Sequence, residues 1–93
     1  IGYEDGYFRS LSNKAYMIVN DVFCPVVGTV CMDYTMIDLS VVAKSKNVKV
    51  GDVVTVMGRE KSAEVLASDI AKWASTIPYE VLTSVGARVR RVY

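Results

Sequence analysis

Lys14-Ala15-Tyr16-Met17-Ile18-Val19-Asn20-Asp21-Val22-Phe23-Cys24-Pro25-Val26-Val27-Gly28-Thr29-Val30 is the stretch whose pattern decides the fold. Lys14 to Val19 is dominated by residues that favour strands, and Asn20-Asp21 suits a tight turn because both side chains tolerate positive φ. A second strand is expected over Phe23 to Val30, with Pro25 near its start, where a missing N–H does least harm to a ladder. After Cys31-Met32-Asp33-Tyr34 comes a third run, Thr35 to Leu39, which should set Thr35, Ile37 and Leu39 on one face and Met36 and Asp38 on the other. Several of these runs are apolar on both faces. That pattern suits a small barrel, or a sheet covered by a partner, better than an exposed hairpin.

Moving outward, Lys44 to Lys49 reads as a solvated polar loop, and Gly51-Asp52 turns the chain into a strand over Val53 to Met57 that Gly58 ends. The period then changes. Ser68 is placed to cap a short helix over Asp69 to Ser75, with Ile70, Trp73 and Ala74 at i, i+3, i+4 spacing. Pro78 suits the first residue of a second helical turn through Tyr79, Leu82 and Thr83, which Gly86 stops, and Arg88 to Tyr93 is expected to close as a strand. The fold class is therefore mainly β: a small closed or partly open β-barrel with two short helices near the C-terminus. Residues 1–93 form a single domain, too short for two independent cores.

Composition narrows the function. With 52% apolar and 23% charged residues the chain is not of the disordered class, and the apolar excess calls for a surface that meets another protein segment. A net charge of +1 gives no field to attract nucleic acid or an anionic membrane. The basic cluster Arg88, Arg90 and Arg91 reads as a charged edge strand. An oligonucleotide-binding barrel using those arginines is disfavoured for the same reason. No apolar run approaches the roughly 20 residues that span a bilayer. Cys24 and Cys31 read as buried, reduced thiols, and without histidine no zinc ligand set exists. The start at Ile1, inside an apolar Ile1-Gly2-Tyr3 segment, reads as a cut chain whose catalytic parts lie upstream.

The residues themselves offer no self-contained catalytic device. No histidine is present to activate a serine or cysteine, no phosphate-binding loop appears, and Asp33 and Asp38 indicate a carboxylate pair only weakly. Tyrosines at segment ends, in Gly2-Tyr3-Glu4-Asp5-Gly6-Tyr7 and Pro78-Tyr79-Glu80, suit either a β core or a pocket rim that offers a hydroxyl. Gly28-Thr29-Val30-Cys31-Met32-Asp33 is likewise either an ordinary bend or a strand end whose N–H faces a ligand.

In this order, these segments resemble the C-terminal β domain of the alanine racemase family. Gly2-Tyr3-Glu4-Asp5-Gly6-Tyr7-Phe8-Arg9 is similar to that family's Gly-Tyr-x-Asp-Gly-x-x-Arg motif, continued by Ser10-Leu11-Ser12-Asn13. Pro25-Val26-Val27-Gly28-Thr29-Val30-Cys31-Met32-Asp33 resembles its Pro-Ile-Val-Gly-Arg-x-Cys-Met-Asp motif, and Lys49-Val50-Gly51-Asp52, Thr76-Ile77-Pro78-Tyr79-Glu80 and Arg88-Val89-Arg90-Arg91-Val92-Tyr93 match later signatures. The likeness covers essentially the whole chain. It departs from the family pattern at Thr29, which stands where arginine is usual, and at Glu4, Tyr34, Pro78 and Arg90.

The resemblance implies a cytoplasmic bacterial enzyme that interconverts L-alanine and D-alanine, supplying D-alanine for peptidoglycan. It also implies an N-terminal (β/α)8 barrel, absent from this chain, that holds pyridoxal 5′-phosphate on a lysine, and a head-to-tail homodimer whose sites lie between one barrel and the partner's β domain. Tyr3 would line the substrate corridor with Arg9 further out, Met32 would offer its backbone N–H to the substrate carboxylate, and Asp33 would hold that turn. Tyr79 would reach the cofactor phosphate. The two bases, a lysine and a tyrosine, belong to motifs this chain does not contain, so no catalytic base is assigned here and the chain alone should be inactive. A related serine or broad-specificity racemase, or a non-catalytic β-barrel dimerisation module, are the alternative readings.

Overall fold

The computed structural model describes residues 1–43, 47–86 and 89. Apart from Val89, the closing strand expected over Arg88 to Tyr93 lies outside the described residues, as do the arginine cluster and Lys44 and Lys46 of the polar loop.

The fold grows from the expected hairpin. Strands β1 (Tyr16–Val19) and β2 (Val22–Pro25) pair antiparallel, with Tyr16 opposite Pro25 and Val19 opposite Val22. Asn20 and Asp21 make the turn at φ 50° and 65°, the two left-handed positions that match the twist of a hairpin. Asp21 also fastens a second hairpin, β3 (Gly58–Arg59) with β4 (Glu64–Val65). Its carboxylate accepts the N–H groups of Ser62 (2.8 Å) and Ala63 (2.7 Å). In return the Asp21 N–H donates to the Glu60 carboxylate at 3.0 Å.

The remaining expected strands shrink to single bridges. β2 ends at Pro25, not at Val30, so the proline closes the strand instead of opening it. The reason is a change of partners: the Pro25 carbonyl accepts the Asp38 N–H (2.9 Å), the Val26 N–H turns to the Ala15 carbonyl (2.9 Å), and the Val27 N–H turns to the Met36 carbonyl (3.0 Å). Thr35 to Leu39 accordingly contributes one antiparallel bridge, Ile37 to Val26. The predicted alternation survives nonetheless, with Thr35, Ile37 and Leu39 half-buried and Met36 and Asp38 exposed. In the run Val53 to Met57 only Thr55 pairs, exchanging both backbone bonds with Ile18. Gly58, at φ 144°, opens β3 and does not end a strand. The described residues thus form two small two-stranded sheets with short helices. Closure into a barrel is not seen among them.

A single turn of helix, α1 (Ser40–Ala43), follows the third run, its first N–H capped by the Asp38 carboxylate at 2.9 Å. Helix α2 (Ala67–Ala74) starts two residues earlier than expected, because the Asp69 carboxylate reaches back to the Leu66 N–H (2.8 Å) and Ser68 lies inside the first turn without capping it. Its apolar face is the expected one, with Ile70 and Ala74 buried and Trp73 packed on the core. Helix α3 (Pro78–Thr83) begins at Pro78 as expected and ends at Thr83, before Gly86 is reached. Gly86 serves close approach instead: its N–H donates to the Asp5 carbonyl at 3.0 Å, and a Cβ there would stand 2.6 Å from the Glu4 carbonyl oxygen.

The main core joins Leu11, Ile18, Val26, Val30, Val65 and Val81 with the inner face of α2. Full burial of aliphatic side chains such as Leu11, Ile18 and Val65 stabilises by about 1.5–3 kcal/mol each. A smaller cluster gathers Val19, Cys24 and Val42. Burial pushes the Cys24 thiol above its ordinary pKa, so it packs as a neutral group. Cys31, expected to be buried as well, is only half-buried and lies at the functional region; both cysteines are free.

Candidate functional site

The Gly2-Tyr3-Glu4-Asp5-Gly6 segment has a physical reason at nearly every position. It lies along the loop that follows Val30: the Tyr3 N–H donates to the Cys31 carbonyl (2.9 Å) and the Glu4 N–H to the Met32 carbonyl (3.0 Å). At Gly2 the two backbones pass so closely that a Cβ would collide with the Cys31 and Met32 carbonyls. The segment then turns through a 3-10 helix, Tyr3–Asp5, and the buried Asp5 carboxylate accepts the Gly2 N–H at 3.1 Å. Gly6 leaves at φ 97° beneath the Ser84 carbonyl, which brings the end of α3 onto the same turn.

The loop that receives this segment is held by side chains. Its shoulders hang from a second 3-10 helix, Arg9–Leu11, and the turn after it: the Val30 N–H donates to Ser12 Oγ (2.8 Å) and the Gly28 N–H to Asn13 Oδ1 (2.8 Å). The Cys31 N–H closes the tip on the Tyr34 carbonyl at 3.0 Å, and Thr35 Oγ1 donates to the Ile1 carbonyl at 2.8 Å. Met32, Asp33 and Tyr34 form the exposed tip. Among the described residues the Met32 N–H makes no hydrogen bond, although its carbonyl is engaged. The result is a fixed loop whose tip leaves the Met32 backbone donor open to a ligand, beside the 44% exposed ring of Tyr3. The neighbouring Cys31 side chain holds the Tyr34 phenol above its ordinary pKa.

Of the residues expected at a site, Tyr3, Met32 and Asp33 are brought together. Arg9 is exposed and connects to them through Ser12, whose hydroxyl donates to the Arg9 carbonyl (2.5 Å) while accepting from Val30. Tyr79 stands elsewhere, on the first turn of α3, with 73% of its surface exposed. Of the two carboxylates weakly indicated as a pair, Asp33 stands on the exposed tip. Asp38 caps α1, and its bonds to Ser40 hold its carboxyl below the usual carboxylate range. Sequence reasoning gave no role to Ser12 and Asn13, which position the loop; the one local signal was a turn composition that Asn13 answers with φ 58°.

Toward a phosphorylated cofactor the described residues offer an exposed phenol, Tyr79, that can donate to a phosphate oxygen. This fits one edge of such a group. Among the described residues no group of His, Cys, Asp and Glu could hold a metal ion, and no helix is long and apolar enough to cross a membrane.

Comparison with known proteins follows the same outline. Residues 1–93 match the family model described as alanine racemase, C-terminal domain. The alanine racemase of Thermodesulfovibrio yellowstonii is 59% identical over 93 residues, which cover 100% of this chain and 25% of that protein. That of Geobacter sulfurreducens is 47% identical over 94 residues, covering 100% of this chain and 24% of that protein. In three dimensions the chain is similar to the crystal structure of alanine racemase from Bartonella henselae with covalently bound pyridoxal phosphate, with a TM-score of 0.88 and 35% identity over 100% of this chain and 25% of that one. The chain spans about a quarter of the length of the relatives it matches.

Proposed function

The chain belongs to the alanine racemase C-terminal domain family, and from that premise we propose that it completes the active site of a pyridoxal-phosphate-dependent enzyme interconverting L-alanine and D-alanine. The supporting observation is the loop tip: a rigidly held backbone N–H at Met32, without a partner among the described residues, beside the half-exposed ring of Tyr3. The Met32 N–H donates to the substrate carboxylate, where a charge-assisted bond fixes one end of the amino acid. Tyr3 walls the approach and narrows the space that water can occupy. Asp33 shares the tip with Met32 and holds it, and Arg9, further out on the exposed 3-10 turn, adds positive charge to the corridor through which an anionic carboxylate arrives.

When bound, pyridoxal phosphate supplies an electron sink for the carbanion that forms at the α-carbon. Tyr79 donates its phenolic hydrogen to the phosphate and so helps to retain the group. Racemisation requires one base on each face of the α-carbon, and neither is assigned to this domain, which therefore acts only together with an N-terminal barrel domain. In the full protein, a homodimer in the bacterial cytoplasm, the Tyr3 and Met32 wall serves the partner subunit's barrel, and the D-alanine formed feeds peptidoglycan. The test is an assay of the full-length protein for conversion of L-alanine to D-alanine with pyridoxal phosphate present. Equal formation of both enantiomers from either one is expected; a full-length protein that leaves alanine unchanged overturns the proposal.

A further inference from the structure

Asp5 is the one carboxylate buried among the described residues, 4% exposed, and it stands in a 3-10 turn of only three residues. A carboxylate withdrawn from water is costly unless hydrogen bonds hold it, and a neutral side chain would close so short a turn at lower cost. What Asp5 holds in place explains the charge. Its Oδ2 accepts the Gly2 N–H at 3.1 Å, and its own N–H returns to the Gly2 carbonyl at 3.0 Å, a reciprocal box of the kind that closes helix starts. The Gly2 carbonyl also accepts the Tyr7 N–H, at 3.2 Å. That carbonyl belongs to the same planar peptide unit as the Tyr3 N–H, and in a trans peptide the two point to opposite sides. Holding one end therefore aims the other, and the Tyr3 N–H meets the Cys31 carbonyl at 2.9 Å. The same relation repeats once more. The Cys31 carbonyl shares its peptide unit with the Met32 N–H, which points away from Tyr3 and has no partner among the described residues.

We propose that Asp5 is a positioning residue for the substrate: through two peptide units in series, Gly2-Tyr3 and Cys31-Met32, it aims the Met32 N–H at the substrate carboxylate. This rests on the reading of Met32 as the carboxylate donor. Each amide in the series donates at one end while accepting at the other, so the bonds polarise one another and the last N–H becomes a better donor than an isolated amide. The Glu4 N–H, bonded to the Met32 carbonyl at 3.0 Å, fixes the next peptide unit from the same turn. The two ends of Asp5 have separate duties. Its side chain controls the tip, whereas its backbone carbonyl receives the Gly86 N–H at 3.0 Å and ties the turn to the chain that follows α3. Replacing the side chain leaves that second tie, and with it Tyr79, in place.

The experiment uses the full-length protein with pyridoxal phosphate and compares Asp5→Ala with Asp5→Asn. KM and kcat for L-alanine are read together with inhibition by propionate, which carries the carboxylate without the amino group, and with cofactor retention by absorbance. In Asp5→Ala the KM and the propionate inhibition constant should rise in parallel by about tenfold, while kcat stays within about threefold and cofactor retention is unchanged. Asp5→Asn keeps an uncharged acceptor for the Gly2 N–H, so both constants should recover to about threefold above the unsubstituted values. Unchanged constants in a folded Asp5→Ala variant overturn the proposal. So does a rise in KM that propionate does not follow, or a matching loss of cofactor, which marks general loosening of the domain. Should Asp5→Ala fail to fold, Asp5→Asn decides by the same two constants, and values equal to the unsubstituted enzyme's overturn the proposal. An unsubstituted protein that leaves alanine unchanged refutes the racemase reading itself, whereas an active enzyme indifferent to both substitutions rejects the positioning role alone.

Discussion

The loop around Met32, which joins two runs expected as strands, and the run around Thr55, expected as a strand itself, each have one isolated bridge beside them, yet they differ in how their backbone is satisfied. Around Met32 the shoulders are tied by side chains, Ser12 to Val30 and Asn13 to Gly28, and the Met32 donor remains open at the tip. Around Thr55 one edge is paired with β1, the N–H groups of Val54 and Val56 make no hydrogen bond among the described residues, and the exposed residues there are apolar. Isolated donors on a rigid loop suit a small polar ligand. A row of them with apolar flanks does not.

Gly2→Ala should break the first region most severely. The added Cβ meets backbone carbonyls that cannot rotate away, so a loss of about 3 kcal/mol or more is expected in denaturant unfolding of the full-length enzyme, with kcat/KM falling more than tenfold. Tyr79→Phe comes next. Loss of one phosphate bond should weaken cofactor retention by about 1.5–3 kcal/mol, read by dialysis and absorbance, with little change in stability. Unchanged cofactor affinity removes Tyr79 from the site.

Ser12→Ala sharpens the comparison more directly, because it unties a shoulder and touches no ligand. The part-buried Val30 N–H is left unpaired, at a cost of about 1–3 kcal/mol, and KM for alanine should rise as the tip loosens. Beside the second region, where Tyr7 lines a cavity with Val54 and Val56, burial holds its hydroxyl well above the usual tyrosine pKa. A group that keeps its proton longer when folded contributes stability that is complete below the unfolded value of about 10 and is lost as pH rises beyond it. Tyr7→Phe should therefore flatten the fall in stability above about pH 10, measured by urea titration at stepped pH, while leaving neutral-pH activity unchanged.

What could be read from sequence was local. The β1–β2 hairpin was legible because Asn20-Asp21 carries its turn chemistry within two residues, and the apolar face of α2 because Ile70, Trp73 and Ala74 repeat at helical spacing. The strand around Val26 to Val30 was misread because Pro25 exchanges partners with residues from another segment, which no period reports. Ser68 looked like a cap, but Asp69 could reach the Leu66 N–H and took the role. At the site, the approach of Tyr3 to Met32 follows from Gly2 lying against a distant loop. Only the ordered motifs of the family hinted at it, since spacing alone left both segments ambiguous between packing and function.

The most direct test of the Met32 assignment is a structure of the full-length enzyme with alanine bound. The account predicts the Met32 nitrogen within about 3 Å of a substrate carboxylate oxygen, with the Tyr3 ring along the same approach. A carboxylate held entirely by other groups, with the Met32 N–H facing solvent or a protein carbonyl, would contradict it.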